Sequence, residues 1–175
     1  MRRVLLFALL LLGLSAPAYA EVEAAGPSGF SLILNTTVPV APKDAYKRFV
    51  EVKNWWSPEY AASGAAKNMK LDAKLGGCLC EKLPDGGFMR HFQTARADPG
   101  SLLVLSNGMG PLNAIGAQGS LQVEFKPQGS GTAVTLRYMA FGYSVNGWGG
   151  YAPQSDRIWQ TQMQRYATYA GGGKL

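Results

Sequence analysis

Apolar residues in the last long stretch of the chain, residues 153–170, follow the roughly 100° step of a helix. Ile158, Trp159, Met163, Tyr166, Ala167, Tyr169 and Ala170 fall on one half of the circumference. Gln154, Arg157, Gln160, Thr161, Gln164 and Arg165 occupy the other half, and Asp156 and Gln162 intrude on the apolar side. Pro153 suits a first turn, and Gly171, Gly172 and Gly173 stop the helix. A helix with so broad an apolar face must lie across something large.

What precedes it reads mostly as strands. Residues 30–38 are β-branched and alternating, which predicts a strand. Pro42 can open a short helix running to about Val52, with Ala45, Tyr46, Phe49 and Val52 at helical spacing. Pro58 ends that region, since the residue before a proline avoids helical backbone. Strands are then predicted over 68–73, 78–83, 88–97, 101–106, 119–125 and 132–141. Turn chemistry separates them: Gly76 and Gly77, Pro84 to Gly87, Pro99 and Gly100, and Pro127 to Gly131. Residues 107–115 read as an irregular apolar loop, and 142–151 as a glycine-aromatic loop leading into the last helix. An antiparallel sheet joined by hairpins has one face to bury, and the long helix can cover it. A sheet curled around a helix tends to leave a cavity, the kind of place small ligands favour.

The first residues do not fit this scheme. Arg2 and Arg3 precede an unbroken apolar run from Val4 to Leu14, and Ala18, Tyr19 and Ala20 supply small residues for a signal peptidase. Residues 1–20 are therefore expected to be a secretory signal peptide, too short for a spanning helix, with export to the periplasm or outside the cell. Residues 21–29 read as a loose polar leader, 30–170 as one domain and 171–175 as a flexible tail. Loss of Arg2 and Arg3 leaves 15 basic against 11 acidic residues, so the net charge falls from +6 to +4. The remaining bases are scattered, which argues against nucleic-acid binding, and no later stretch is apolar enough to span a membrane.

Few residues could carry chemistry. His91 is the sole histidine, a candidate base or ligand anchor. Strict alternation groups it with Met89 and Gln93 against Phe88, Arg90 and Phe92, and leaves the inward face open. Cys78 and Cys80 lie two apart on one strand, with ideal Cα atoms about 6.6 Å apart and parallel side chains. They are expected to be reduced, buried and lining the interior, and with one histidine there is no zinc set. Gln162 is mid-helix on the apolar side and needs a partner, water or ligand. Trp159, Met163 and Tyr166 read as core that partly lines a pocket, with Trp56 at its entrance. No cofactor and no metal are expected.

Taken in order, several short motifs carry a resemblance: Trp55-Trp56, the run from Gly76 to Glu81, Pro99 to Leu102, Gly110 to Leu112, and Asp156 to Met163. Over 30–170 the chain resembles the START-like (SRPBCC) superfamily, in the branch of heat-shock-protein ATPase activator homologues and polyketide cyclase/dehydrase-like proteins. The resemblance implies an α+β helix-grip fold: six to seven curved antiparallel strands wrapped around a long C-terminal helix, with a short helix after the first strand. It also implies a small hydrophobic ligand of lipid, aromatic or polyketide-like type. A cyclase or dehydratase-like enzyme acting without metal, and a ligand-free interaction module, are the alternatives. Export would separate the chain from a cytosolic ATP-driven chaperone, so a chaperone partner is not expected.

Overall fold

The computed structural model describes residues 19–107 and 110–175. Most of the expected signal peptide, residues 1–18, lies outside the described residues. Eight strands form one antiparallel sheet: β1 (Tyr19–Gly26), β2 (Gly29–Val38), β3 (Met69–Leu71), β4 (Cys78–Lys82), β5 (Phe88–Asp98), β6 (Leu102–Ser106), β7 (Gln118–Gln128) and β8 (Gly131–Phe141). Their order across the sheet is β1-β2-β8-β7-β6-β5-β4-β3. Helix α1 (Pro42–Val50) follows β2, and α2 (Tyr151–Ala170) closes the chain. The curved sheet around α2 is the helix-grip fold.

Two expectations are corrected. The sheet has eight strands rather than six or seven, because residues 21–26, expected to be loose, form most of β1 and pair antiparallel with β2. Ordinary ladder bonds to the neighbouring β2 edge outweigh the weak strand propensity of an Ala- and Glu-rich segment. Helix α2 also begins two residues before Pro153. A proline is tolerated there because the first four N–H groups of a helix have no intrahelical acceptor.

The core forms where the inward face of the sheet meets α2. Leu32 and Leu34 of β2, Leu103 and Leu105 of β6, Val123 of β7 and Leu136 of β8 are buried completely or nearly so. Against them α2 lays Trp159, Met163, Tyr166 and Ala170. Tyr46 and Phe49 of α1 pack edge-on against Phe125, and Phe49 also meets Tyr166. Tyr166 donates its hydroxyl proton to the carbonyl of Ala45 at 2.9 Å, tying α2 to α1. Among the described residues no helix is long and apolar enough to cross a membrane.

One glycine is required by close approach. A Cβ at Gly77 would meet the carbonyl oxygen of Asp72 at 1.9 Å, so only glycine lets the β3–β4 turn close this tightly. That turn delivers the chain directly into Cys78 and the functional wall.

Candidate functional site

The site is built on β4 and β5, and an irregularity in their pairing makes it. Leu79 pairs with Phe92 but Cys80 pairs with Arg90, which leaves His91 as an extra residue in β5. Such a bulge interrupts alternation. His91 and Phe92 consequently both turn inward, at 7% and 4% exposure. The strict alternation read from the sequence had placed these two residues on opposite faces.

Opposite the bulge stands Glu81, which follows Leu79 on the inward face of β4 and is 1% exposed. A buried carboxylate needs hydrogen-bond donors, and three converge on it. Its Oε1 accepts from the backbone N–H of Ser63 at 2.6 Å, and its Oε2 from that of Ala62 at 3.1 Å. His91 Nε2 lies 2.9 Å from Oε2. Burial by itself would raise the carboxyl pKa, but the bonds from Ser63, His91 and Ala62 outweigh it and hold the group below the usual range. Burial drives the His91 imidazole below its ordinary value, against the upward pull of Glu81. At neutral pH the pair is therefore carboxylate and neutral imidazole, with Nε2–H donating to Oε2. The sequence reading missed Glu81. Its one signal was a carboxylate two residues from Leu79, and so on the same face of the strand.

His91, but not Glu81, borders a cavity of about 560 Å³. Trp56, His91, Tyr138 and Trp159 form its aromatic wall, with Leu79 and Phe92 between them. Trp56 and Trp159 meet edge to face with centroids 5.7 Å apart, and Trp159 packs on Tyr138 at 5.5 Å. Burial holds the phenol of Tyr138 far above its ordinary pKa, so it stays protonated. Leu112, Ile115, Tyr151 and Ile158 stand around the aromatic wall. Among the described lining residues there is no lysine or arginine. A second depression, of about 610 Å³, lies by β3 and the end of α1, beside the exposed lysines Lys53, Lys70 and Lys82.

Of the residues expected at the site, Trp56, His91 and Trp159 line the cavity. The others do not. Gln162 is fully buried, and its Oε1 accepts from the backbone N–H of Ser57 at 2.9 Å, so the amide anchors the segment carrying Trp56. Met163 and Tyr166 are 0% exposed and belong to the core. Trp55 is core as well, with its indole N–H shared between the carbonyls of Phe49 and Arg48.

Cys78 and Cys80 overturn a further expectation. They form a disulfide and are only half-buried, on the face of β4 opposite Leu79 and Glu81. The ideal-strand spacing fails because the register shifts between Leu79 and Cys80, and the two Cα atoms are 5.4 Å apart, within bridging range. Thiol titration of the unfolded, unreduced chain is expected to find no free thiol, and two after reduction. Because the bridge closes so short a loop, Cys78→Ser with Cys80→Ser should cost only on the order of 1 kcal/mol in urea unfolding.

No family model matches the chain, and no curated protein sequence matches it. Solved structures do. CalU16 from Micromonospora echinospora superposes with a TM-score of 0.58 at 11% identity, covering 90% of this chain and 85% of that one. Protein CV1439 from Chromobacterium violaceum gives 0.57 at 14%, covering 81% and 96%. DynU16, a protein of the dynemicin biosynthetic locus, gives 0.57 at 16%, covering 82% of this chain and 48% of its own. At such identities the likeness is one of fold alone, the α+β helix-grip fold.

Proposed function

We propose that this protein binds or carries a small hydrophobic molecule, of lipid, aromatic or polyketide-like type, in the cavity between the sheet and α2. The observation that carries this reading is the 560 Å³ cavity walled by Trp56, Tyr138 and Trp159, with no cationic side chain among its described lining residues. Its volume lies inside the roughly 300–1,000 Å³ range of small-molecule sites. Apolar and aromatic walls favour a neutral ligand, because an anion brought there would lose its hydration without a counter-charge. We further propose that residues 1–20 are removed on export and that the carrier works outside the cytoplasm. N-terminal sequencing of the exported protein should then begin at Glu21, and a start at Met1 would refute this.

The cavity reading is tested with an environment-sensitive fluorescent probe. Wild type should bind it. Ile158→Trp, at a half-buried lining position, should raise the dissociation constant roughly tenfold or more while thermal unfolding stays near that of wild type. The magnitude follows from the cost of overpacking a filled site, about 1–3 kcal/mol. A wild-type chain that binds no apolar probe would favour a ligand-free interaction module.

A second reading, a cyclase or dehydratase-like enzyme, is favoured by one observation: His91 lines the cavity and is paired behind it with the buried Glu81. Turnover of a bound compound that disappears in His91→Ala would support it.

A further inference from the structure

We propose that Nδ1 of His91 is a hydrogen-bond acceptor on the aromatic wall of the cavity, whose rim also carries Glu59 and Gln154, and that the preferred ligand is a neutral aromatic or polycyclic molecule bearing a hydroxyl donor, a phenol or an enol. The proposal rests on the cavity reading above and names the ligand chemistry within it.

Three observations carry it. First, Glu81 fixes the tautomer. Its carboxylate already accepts from two backbone N–H groups, so it is a pure acceptor, and His91 must turn an N–H toward it through Nε2. A neutral ring with hydrogen on Nε2 keeps a lone pair on Nδ1. Second, that lone pair is unspent. Among the described residues no protein group bonds Nδ1, and Nδ1 is not one of the sealed, partnerless buried atoms. The side chain keeps 9% of its surface accessible and lines the cavity. Third, the surroundings suit a flat aromatic body. Trp56 lies against the imidazole with centroids 6.4 Å apart, and Trp159 stands edge-on to Trp56. The low basicity that burial imposes on the ring agrees with a neutral acceptor.

An acceptor in an apolar site selects strongly for ligands with a donor, since a ligand without one leaves the lone pair desolvated and unpaired. A carboxylate ligand is disfavoured, because two acceptors would face each other beside the buried charge of Glu81.

The test compares 2-naphthol with 2-methoxynaphthalene, which differ in the donor alone, by calorimetric titration of the untagged chain. Wild type should bind the naphthol about 5-fold more tightly, the scale of one net hydrogen bond, although the ether is the more hydrophobic. His91→Phe should lose the preference for the naphthol and bind the two compounds equally. With one histidine in the chain, a long-range nitrogen–proton spectrum reads the same site without mutation. Nδ1 should begin at the position of a bare imine nitrogen and move upfield as naphthol is added, while Nε2 stays in place. This readout decides the matter even where His91→Phe does not fold. Equal binding of the two compounds by wild type, an unmoved Nδ1, or a naphthol preference that survives in His91→Phe would overturn the proposal and leave the cavity reading intact. Failure of both compounds to bind would overturn the two together.

Discussion

Replacing Glu81 with leucine is expected to cost about 3–5 kcal/mol of folding stability, read as a lower urea midpoint with an unchanged slope. Leucine supplies no acceptor, so most of the loss comes from stranded partners. Without the carboxylate, the backbone N–H groups of Ala62 and Ser63 and the Nε2–H of His91 lose their acceptor. Each such orphan costs about 1–3 kcal/mol. Glu81→Gln keeps one acceptor oxygen and should lose less. A Glu81→Leu protein as stable as wild type would mean that the segment over the carboxylate is held by something else.

The same pair sets a pH dependence. The folded pKa of His91 lies below its ordinary 6.5, so on acidification the unfolded chain takes up the proton first. Stability should therefore fall as pH drops below about 6.5 toward the folded value, and level off beneath it. Glu81 acts in the same direction lower down: its stabilisation is present above about 4.5 and is lost as pH falls through its depressed folded value. His91→Gln should flatten the upper part of this profile and leave the lower part. The profile is read from urea midpoints between about pH 7 and pH 3.

Trp55→Ala is expected to cost about 3–5 kcal/mol, the range for truncating a large buried aromatic. Trp55 is 1% exposed and packs on Phe49, Trp56 and Tyr166, with centroids 5.0, 5.8 and 5.6 Å away. Its indole N–H holds the carbonyls at the end of α1, and its own carbonyl accepts from Arg165 Nε of α2 at 2.9 Å. One residue thus joins α1, α2 and the segment that carries Trp56 into the cavity wall. The expected result is a lower thermal midpoint together with weaker probe binding, because the wall loses its support. A variant that unfolds as wild type does would show that the neighbouring rings close over the gap.

The neighbouring tryptophans show why a local pattern under-determines a site. In the sequence Trp55 and Trp56 are equivalent: adjacent, aromatic and at the end of a short helix. In the fold one is sealed beneath α1 and the other lines the cavity. The local chain carries no information about which neighbour covers which ring. Gln162 makes the same point. Its place on the apolar half of α2 correctly required a partner: Oε1 takes the backbone N–H of Ser57, 105 residues earlier, while Nε2 is buried with no partner among the described residues.

Period and turn chemistry alone determined the helix-grip order of elements, the apolar side of α2, and the strands from β4 to β8, because these depend on interactions within a few residues along the chain. Tertiary structure decided the rest. β1 exists because β2 offers it a ladder, not because of its own propensity. The extra residue in β5 turned His91 inward beside Phe92, and the matching register shift in β4 brought Cys78 and Cys80 within bonding distance. A bulge is a mismatch between two strands, so neither strand's pattern records it. Glu81 and His91 came together across that mismatch, and their pairing left Nδ1 as the imidazole nitrogen that no described residue bonds.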